Sequence, residues 1–226
     1  MKHILLLALF FNIKYSFSQE SLFVANKTNE LVKNSGKVLF EDYNEVSNYL
    51  DCAAYKYSEA DYNGAIKEYN EAIKINPKSA MLFYNRAVIH TKMANIELAI
   101  TDFTKCIELR PAFLNAYFSR AVAYYNNKQY KLSKLDFDKV IEFRPKSALS
   151  YRKRGAIKYI LRDRNGAIID FNKSIELNPG DPIAFHDRAV SKEEKGDRKG
   201  ATEDYQKARK LGFMLSTKDW FRFNFI

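Results

Sequence analysis

Cysteine is scarce, with two in 226 residues, which excludes a disulfide-stapled scaffold and a four-cysteine zinc site. Three histidines, one of them His3, leave too little imidazole for a metal centre. Eight glycines and five prolines exclude a collagen-like or linker-dominated chain. No apolar run approaches the ~20 residues that a helix needs to cross a bilayer core. Also missing are a glycine-rich phosphate loop, a G-x-S-x-G elbow and an H-E-x-x-H helix. The carboxylates are plentiful but lie in helical patterns, where they read as solvated faces. The sequence therefore predicts no catalytic residue, no cofactor and no metal: the protein is not expected to be an enzyme.

What remains is an ordinary globular balance, 46% hydrophobic and 28% charged, with 37 basic against 27 acidic side chains, a formal charge of +10. The excess is uneven. Residues 19–79 carry 7 basic and 10 acidic groups, whereas 80–226 carry 28 and 17. Within the latter, 114–181 holds 14 basic and 7 acidic groups.

The N-terminus opens with Lys2 and His3, then an apolar run from Ile4 to Phe11, then Asn12, Ile13 and Lys14. A positive start, a short apolar stretch and small residues at Ser16 and Ser18 fit a secretory signal. Cleavage is expected after Ser18, giving a secreted or periplasmic protein without a transmembrane helix that begins at Gln19. The weaker alternative is a buried N-terminal helix. Residues 19–45 show mixed polarity and no periodicity and are read as an N-terminal arm.

From there the chain repeats. Pro77, Pro111, Pro145 and Pro179 stand 34 residues apart, each closing a similar phrase such as Cys106-Ile107-Glu108-Leu109-Arg110 or Ser174-Ile175-Glu176-Leu177-Asn178. A constant period of this length is the signature of a solenoid. With proline at position 32, the units are 46–79, 80–113, 114–147, 148–181 and 182–212. Position 4 is aromatic (Tyr49, Phe83, Tyr117, Tyr151, Phe185), and so is position 24 (Tyr69, Phe103, Phe137, Phe171, Tyr205). Positions 8 and 20 are small throughout, which lets two helix backbones approach closely. Apolar or small residues at 4, 8 and 11, then 17, 20, 21, 24, 27 and 28 give two helical blocks, A and B. Asp61, Asn95, Asp163 and Asp197 at position 16 suit the N-cap of helix B, with Gln129 in the third unit. Each proline stops helix B. The expected fold is all-α: an α-solenoid (superhelix) of five tandem helix–turn–helix repeats with a C-terminal capping segment.

This pattern resembles the tetratricopeptide repeat family, whose unit runs W-x-x-L-G-x-x-Y, then A-x-x-x-F, A and P. Here Phe or Tyr replaces Trp, and Ala usually replaces the first Gly, which survives as Gly155. The second Tyr survives only as Tyr124; Lys56, His90, Lys158 and Lys192 hold the other places. The likeness spans 46–212.

Arg86, Arg120, Arg154 and Arg188 occupy position 7, and Asp102, Asp136, Asp170 and Asp204 occupy position 23 of the same units. The first unit has Cys52 and Glu68 instead. Paired recurrence predicts a bridge between helices A and B; an arginine row gripping phosphates is the weaker alternative. Cys52 and Cys106 sit at packing positions too far apart to join and are expected to be buried free thiols. The sequons at Asn26 and Asn172 are not read as functional.

The resemblance implies that helix A lines a concave groove with positions 2, 5, 9, 12 and 13. On these and adjoining places the expected partner-binding residues are Tyr57, Tyr84, Asn85, Val88, Phe118, Val122, Tyr125, Arg152 and Tyr159. The five aromatic rings are the expected anchors and Arg152 a polar contact. The positions with which some family members clamp a partner's C-terminal carboxylate read Leu50, Ala54, Asn85, Asn115 and Ser119 here, so that clamp is not expected. Filling of the groove by 19–45 or by the tail is the competing reading.

The expected function is an exported protein–protein interaction scaffold holding a peptide or partner helix, with peripheral association with the cell envelope as its setting. The alternative is a binder of an anionic polymer (acidic glycan, lipid head groups or nucleic acid, the last least expected) through Lys128, Lys131, Lys134, Lys146, Lys153 and Arg162. The tail 213–226, with Trp220, Phe221, Phe223 and Phe225, is read as a cap on the last helix B, the alternative being an aromatic docking peptide.

Overall fold

The computed structural model describes residues 40–214, and every regular element among them is an α-helix: α1 (Phe40–Ser58), α2 (Tyr62–Ile75), α3 (Ala80–Lys92), α4 (Ile96–Leu109), α5 (Leu114–Asn126), α6 (Tyr130–Phe143), α7 (Ala148–Ile160), α8 (Arg164–Leu177), α9 (Pro182–Glu194) and α10 (Arg198–Lys210). The leader 1–18, most of the arm and the tail beyond Met214 lie outside the described residues. Helix α1 begins at Phe40, within the expected arm. The chain forms two compact units that divide after Ala123, inside α5. In the first unit α1 packs on α2, α2 on α3 and α3 on α4. In the second, α6 packs on α7, α7 on α8, α8 on α9 and α9 on α10. These are tandem helix hairpins of the α-solenoid class. No described helix is long and apolar enough to cross a membrane.

Each A–B hairpin is made tight by its small residues. Ala53 meets Ala65 within the core that holds Tyr69 and Ala72, and Ala87 meets Ala99 in the core of Phe83, Tyr84 and Phe103. At Gly155 the approach is closest, since a Cβ there would stand 2.8 Å from the Phe171 ring. The five A–B turns share a left-handed residue at position 15, namely Ala60, Ala94, Lys128, Arg162 and Gly196. Only the last is glycine, so four turns carry the steric strain of an L side chain in that region.

The capping carboxylates divide by their neighbour. Asp61, Asp163 and Asp197 accept from the amides of Gly64, Gly166 and Gly200 at 2.8, 2.8 and 2.9 Å. A Cβ on those glycines would lie 1.9–2.4 Å from the capping oxygen. Asn95 and Gln129 make no side-chain cap, and the residue three along is Leu98 or Leu132. Asn95 thus departs from the expected cap because a leucine Cβ stands where the carboxamide would lie.

The position 7–23 bridge is present and extends further than its spacing predicts. Arg86 grips Asp102 with Nε and Nη2, both at 2.7 Å, and its Nη1 donates to Asn70 at 2.6 Å. Arg154 repeats this with Asp170 (2.8 and 2.7 Å) and Asp138 (2.8 Å). Arg188 does so with Asp204 (2.7 and 2.5 Å) and Asn172 (2.8 Å). Arg120 donates from Nη1 to Thr104 at 3.0 Å. Each guanidinium therefore joins its own hairpin and reaches back to position 25 of the preceding one. It also lies over the ring at position 4, with 5.5 Å from Arg154 to the Tyr151 centroid.

Position 11 completes the arrangement. Lys158 reaches Asp170 at 2.9 Å, Lys192 reaches Asp204 at 2.8 Å, and Lys56 pairs with Glu68. These cations stand where the family's second Tyr is expected, and they neutralise a nearly buried carboxylate. The second unit's place is held by His90, 3.9 Å from Asp102. Burial outweighs that carboxylate and pulls the His90 pKa below its ordinary value.

Two expectations need correction. Cys106 is buried but Cys52 is exposed; both are free thiols. At position 7 the cover comes from the preceding hairpin, and none is described before α1. The tail's first residue, Phe213, stacks on His186 of α9 with ring centroids 4.4 Å apart. The outer face of α10 needs no apolar cover, because Lys199, Thr202, Glu203, Gln206, Lys207 and Lys210 already give it to water.

Candidate functional site

The nine residues expected to bind a partner separate by depth. Tyr57, Asn85, Val88, Phe118 and Val122 are half-buried, and Tyr84, Tyr125, Arg152 and Tyr159 are buried. The half-buried set belongs entirely to the first unit, and three of the buried four to the second.

In the first unit the A helices present a mostly apolar row. Leu50 and Tyr57 on α1 and Met81 and Val88 on α3 lie against the core with part of each side chain open to solvent. Phe118 and Val122 on α5 are likewise half-buried. Tyr84 forms the floor, its ring 4.9 Å from Phe113 and 5.7 Å from Phe103. Burial raises its pKa while its hydroxyl is hydrogen-bonded to Ser119. Asn85 is hydrogen-bonded to Tyr69, whose phenol burial pushes up to about 12.

The position 12 aromatics turn onto their own hairpins. Tyr57 packs on Tyr62 and Tyr125 on Tyr130, each pair 5.5 Å apart between centroids. Tyr159 packs under the Arg164 guanidinium at 4.2 Å. Its hydroxyl donates to Glu194 Oε1 at 2.5 Å, and Arg164 Nε donates to the other carboxylate oxygen at 2.5 Å. Tyr159 thus closes a network across α7, α8 and α9. Burial, then the hydrogen bond to Glu194, raises its pKa well above the ordinary phenol range.

The second unit also holds a charged cluster that spacing did not single out. Arg152 Nε stands 2.9 Å from Asp181 Oδ2, whose other oxygen caps α9 by accepting from the Ile183 amide at 3.0 Å. Lys153 is 2% exposed, and burial, then Arg152, lowers its pKa to about 7 against the pull of Asp187 and Asp181. Asp187 lies 3.3 Å from His186 Nδ1 and acts on Tyr125. The missed signal is position 6, which is polar in every unit: Asp51, Asn85, Ser119, Lys153 and Asp187. A row that is never apolar beside the position 4 aromatics marks a buried polar seam.

The candidate polymer contacts change with the structure. Lys153 is buried, and Lys134 is engaged with Asp138 at 2.9 Å. Lys128, Lys131, Lys146 and Arg162 are exposed. Asn172 spends its carboxamide oxygen on Arg188, and Ser174 of the same sequon is fully buried.

Comparison with known proteins agrees with this architecture. A TPR repeat profile matches residues 55–93, and a tetratricopeptide repeat profile matches 82–113 and 114–147. A 43-residue stretch is 44% identical to the Hsp70-Hsp90 organising protein of Plasmodium falciparum (isolate 3D7), covering 19% of this chain but only 8% of that protein. Among solved structures, a MamA protein superposes at a TM-score of 0.71 with 21% identity, over 76% of this chain and 98% of the other. MamA from Desulfovibrio magneticus RS-1 gives 0.71 with 20% identity over 74% and 94%. YrrB, described as a TPR protein with an unusual peptide-binding site, gives 0.66 with 18% identity over 73% and 84%. At these identities the superpositions speak for the fold. Taken with the profile matches and the 34-residue register, they identify the chain as a tetratricopeptide-repeat protein.

Proposed function

We propose that the protein is a non-enzymatic scaffold that captures a peptide or partner helix on the A-helix face of its first unit. The observation that carries this reading is the half-buried apolar row of Leu50, Met81, Val88, Phe118 and Val122 over a rigid aromatic floor. Partly open apolar surface backed by packed rings is what a docking peptide needs. The peptide-binding site named for YrrB and the chaperone-organising role named for the Plasmodium protein support a binding role of this kind. Export by the N-terminal leader, with work at the cell envelope, completes the proposal.

Tyr84 is unsuitable for testing capture, because truncating a buried ring costs about 3–5 kcal/mol. The test instead places a photocrosslinking amino acid at Val88 or Phe118, with exposed Thr101 on α4 as control. Crosslinking in the native cell should yield a discrete product from Val88 and Phe118 and none from Thr101. Equal yields at all three would refute the assignment of the face. N-terminal sequencing of the protein from its own cells should begin at Gln19; a chain starting at Met1 would refute export through a cleaved leader.

A further inference from the structure

The arginines of the second unit are not alike. Arg154 and Arg188 each spend Nε and both Nη atoms on hydrogen bonds within the fold. Arg164 donates from Nε to Glu194 and from Nη1 to the Tyr159 carbonyl, and its Nη2 pairs with Glu194. Arg152 departs from this pattern. It is 9% exposed, its Nε approaches Asp181 at 2.9 Å without a directed hydrogen bond, and neither Nη atom bonds to any described residue. A guanidinium is a planar fork suited to a carboxylate's two oxygens. Holding one in place with two prongs unspent costs desolvation that the fold does not recover.

The surroundings favour an anion. Lys153 follows directly on α7 and is more deeply buried than Arg152. The groups that act on Lys153 are Arg152 on its own helix, Asp187 on α9 and Asp181 at the α9 N-cap. Asp181 is committed to the Ile183 amide, and Asp187 lies against His186 and acts on Tyr125. Neither acid is placed to close the Arg152 fork.

We propose that Arg152, backed by Lys153, is a receptor for one carboxylate of a bound peptide. The site is separate from the first-unit positions at which some family members hold a terminal carboxylate. It rests on the proposed peptide-binding role and adds the partner's chemistry: an acidic group, from either a side chain or a chain end. An arriving anion also offsets the repulsion by which Arg152 disfavours the Lys153 ammonium. Binding above pH 7 therefore takes up a proton, and affinity falls as pH rises, by up to about tenfold per unit between pH 7.5 and 8.5.

The test is a titration of the full chain, ¹⁵N-labelled, with N-acetylglycine, with N-acetylglutamic acid α-amide and, as control, with N-acetylglycinamide. Resonances of the Arg152 side chain and of the Ser150 and Ile183 amides are followed. Saturable shifts with the two acids and none with the amide are expected, with Kd about fivefold or more weaker in Arg152→Gln. Arg152→Lys, which keeps the charge but not the fork, should fall between them; amide spectra of both variants establish folding. Saturation by one acid alone identifies the source of the carboxylate. Shifts that do not saturate, that match those of the amide, or that persist unchanged in folded Arg152→Gln overturn the proposal.

Selection of 12-residue peptides from a random library on the same protein separates the two readings. Peptides that bind regardless of acidity, with no response to the small acids, retain the scaffold and remove the receptor. Saturation by the acids without any selected peptide does the reverse.

Discussion

Replacement of Arg154 by Met tests the energetics of the arginine row most directly. The substitution keeps an unbranched apolar stem over Tyr151 but deletes three hydrogen bonds, two to Asp170 and one to Asp138. Asp170 has a side chain only 2% exposed, so its carboxylate would be left with Lys158 as the remaining charged partner. Breaking a buried pair from one side costs about 3–5 kcal/mol. Lys158 at 2.9 Å holds the loss near the lower end. The Asp138 arm is about one-third exposed and adds well under 1 kcal/mol. The expected total is about 3 kcal/mol, a fall in Tm of roughly 6–12 °C for a chain of this size.

Urea titration followed by helical circular dichroism measures the loss, with Asp138→Ala as a companion expected to cost about 0.5 kcal/mol. Arg154→Met combined with Asp170→Leu should recover much of the stability, because no uncompensated charge then remains inside. A loss below 1 kcal/mol, or a double variant no more stable than Arg154→Met alone, would refute the buried-pair account.

Three further outcomes follow from the same structure. Lys153→Met should stabilise the protein and flatten its pH profile. The native pKa lies below the unfolded one, so the unfolded chain binds more protons above pH 7, and wild-type stability rises by about 2 kcal/mol from pH 7 to pH 9; thermal melts across that range that match in wild type and variant would count against it. Asp163→Ala should cost about 1 kcal/mol by releasing the Gly166 amide, while Asn95→Ala, with no cap to lose, should cost markedly less in the same denaturation assay. A maleimide should modify one thiol rapidly, Cys52, and leave Cys106 untouched until unfolding, since burial pushes the Cys106 pKa up to about 12; mapping by mass spectrometry reads the result, and equal labelling of both would contradict the packing.

The hairpin architecture was legible because proline spacing, small residues and aromatic positions all obey one period. The position 7–23 bridge was legible for the same reason, since arginine and aspartate recur together. The backward reach of each arginine was hidden, because its acceptors at position 25 are Asn70, Thr104, Asp138 and Asn172, which share an oxygen but not a residue type. The face expected to bind a partner was legible only in outline. Periodicity says which side of a helix a residue occupies, not how deeply a neighbour covers it. Tyr57 and Tyr125 hold the same register position, yet one is half-buried and the other buried. The exposure of Cys52 reflects an end effect that no period can show.

The backward-reaching arginine gives the array a direction. A hairpin added after the last one carries its own guanidinium and borrows a single oxygen that its predecessor already displays, so growth by duplication at that end creates no orphaned charge. Loss of a leading hairpin instead strips the next arginine of its third acceptor. Tandem copying of the gene segment is therefore cheaper downstream than trimming is upstream, and variation in repeat number should accumulate at the C-terminal side.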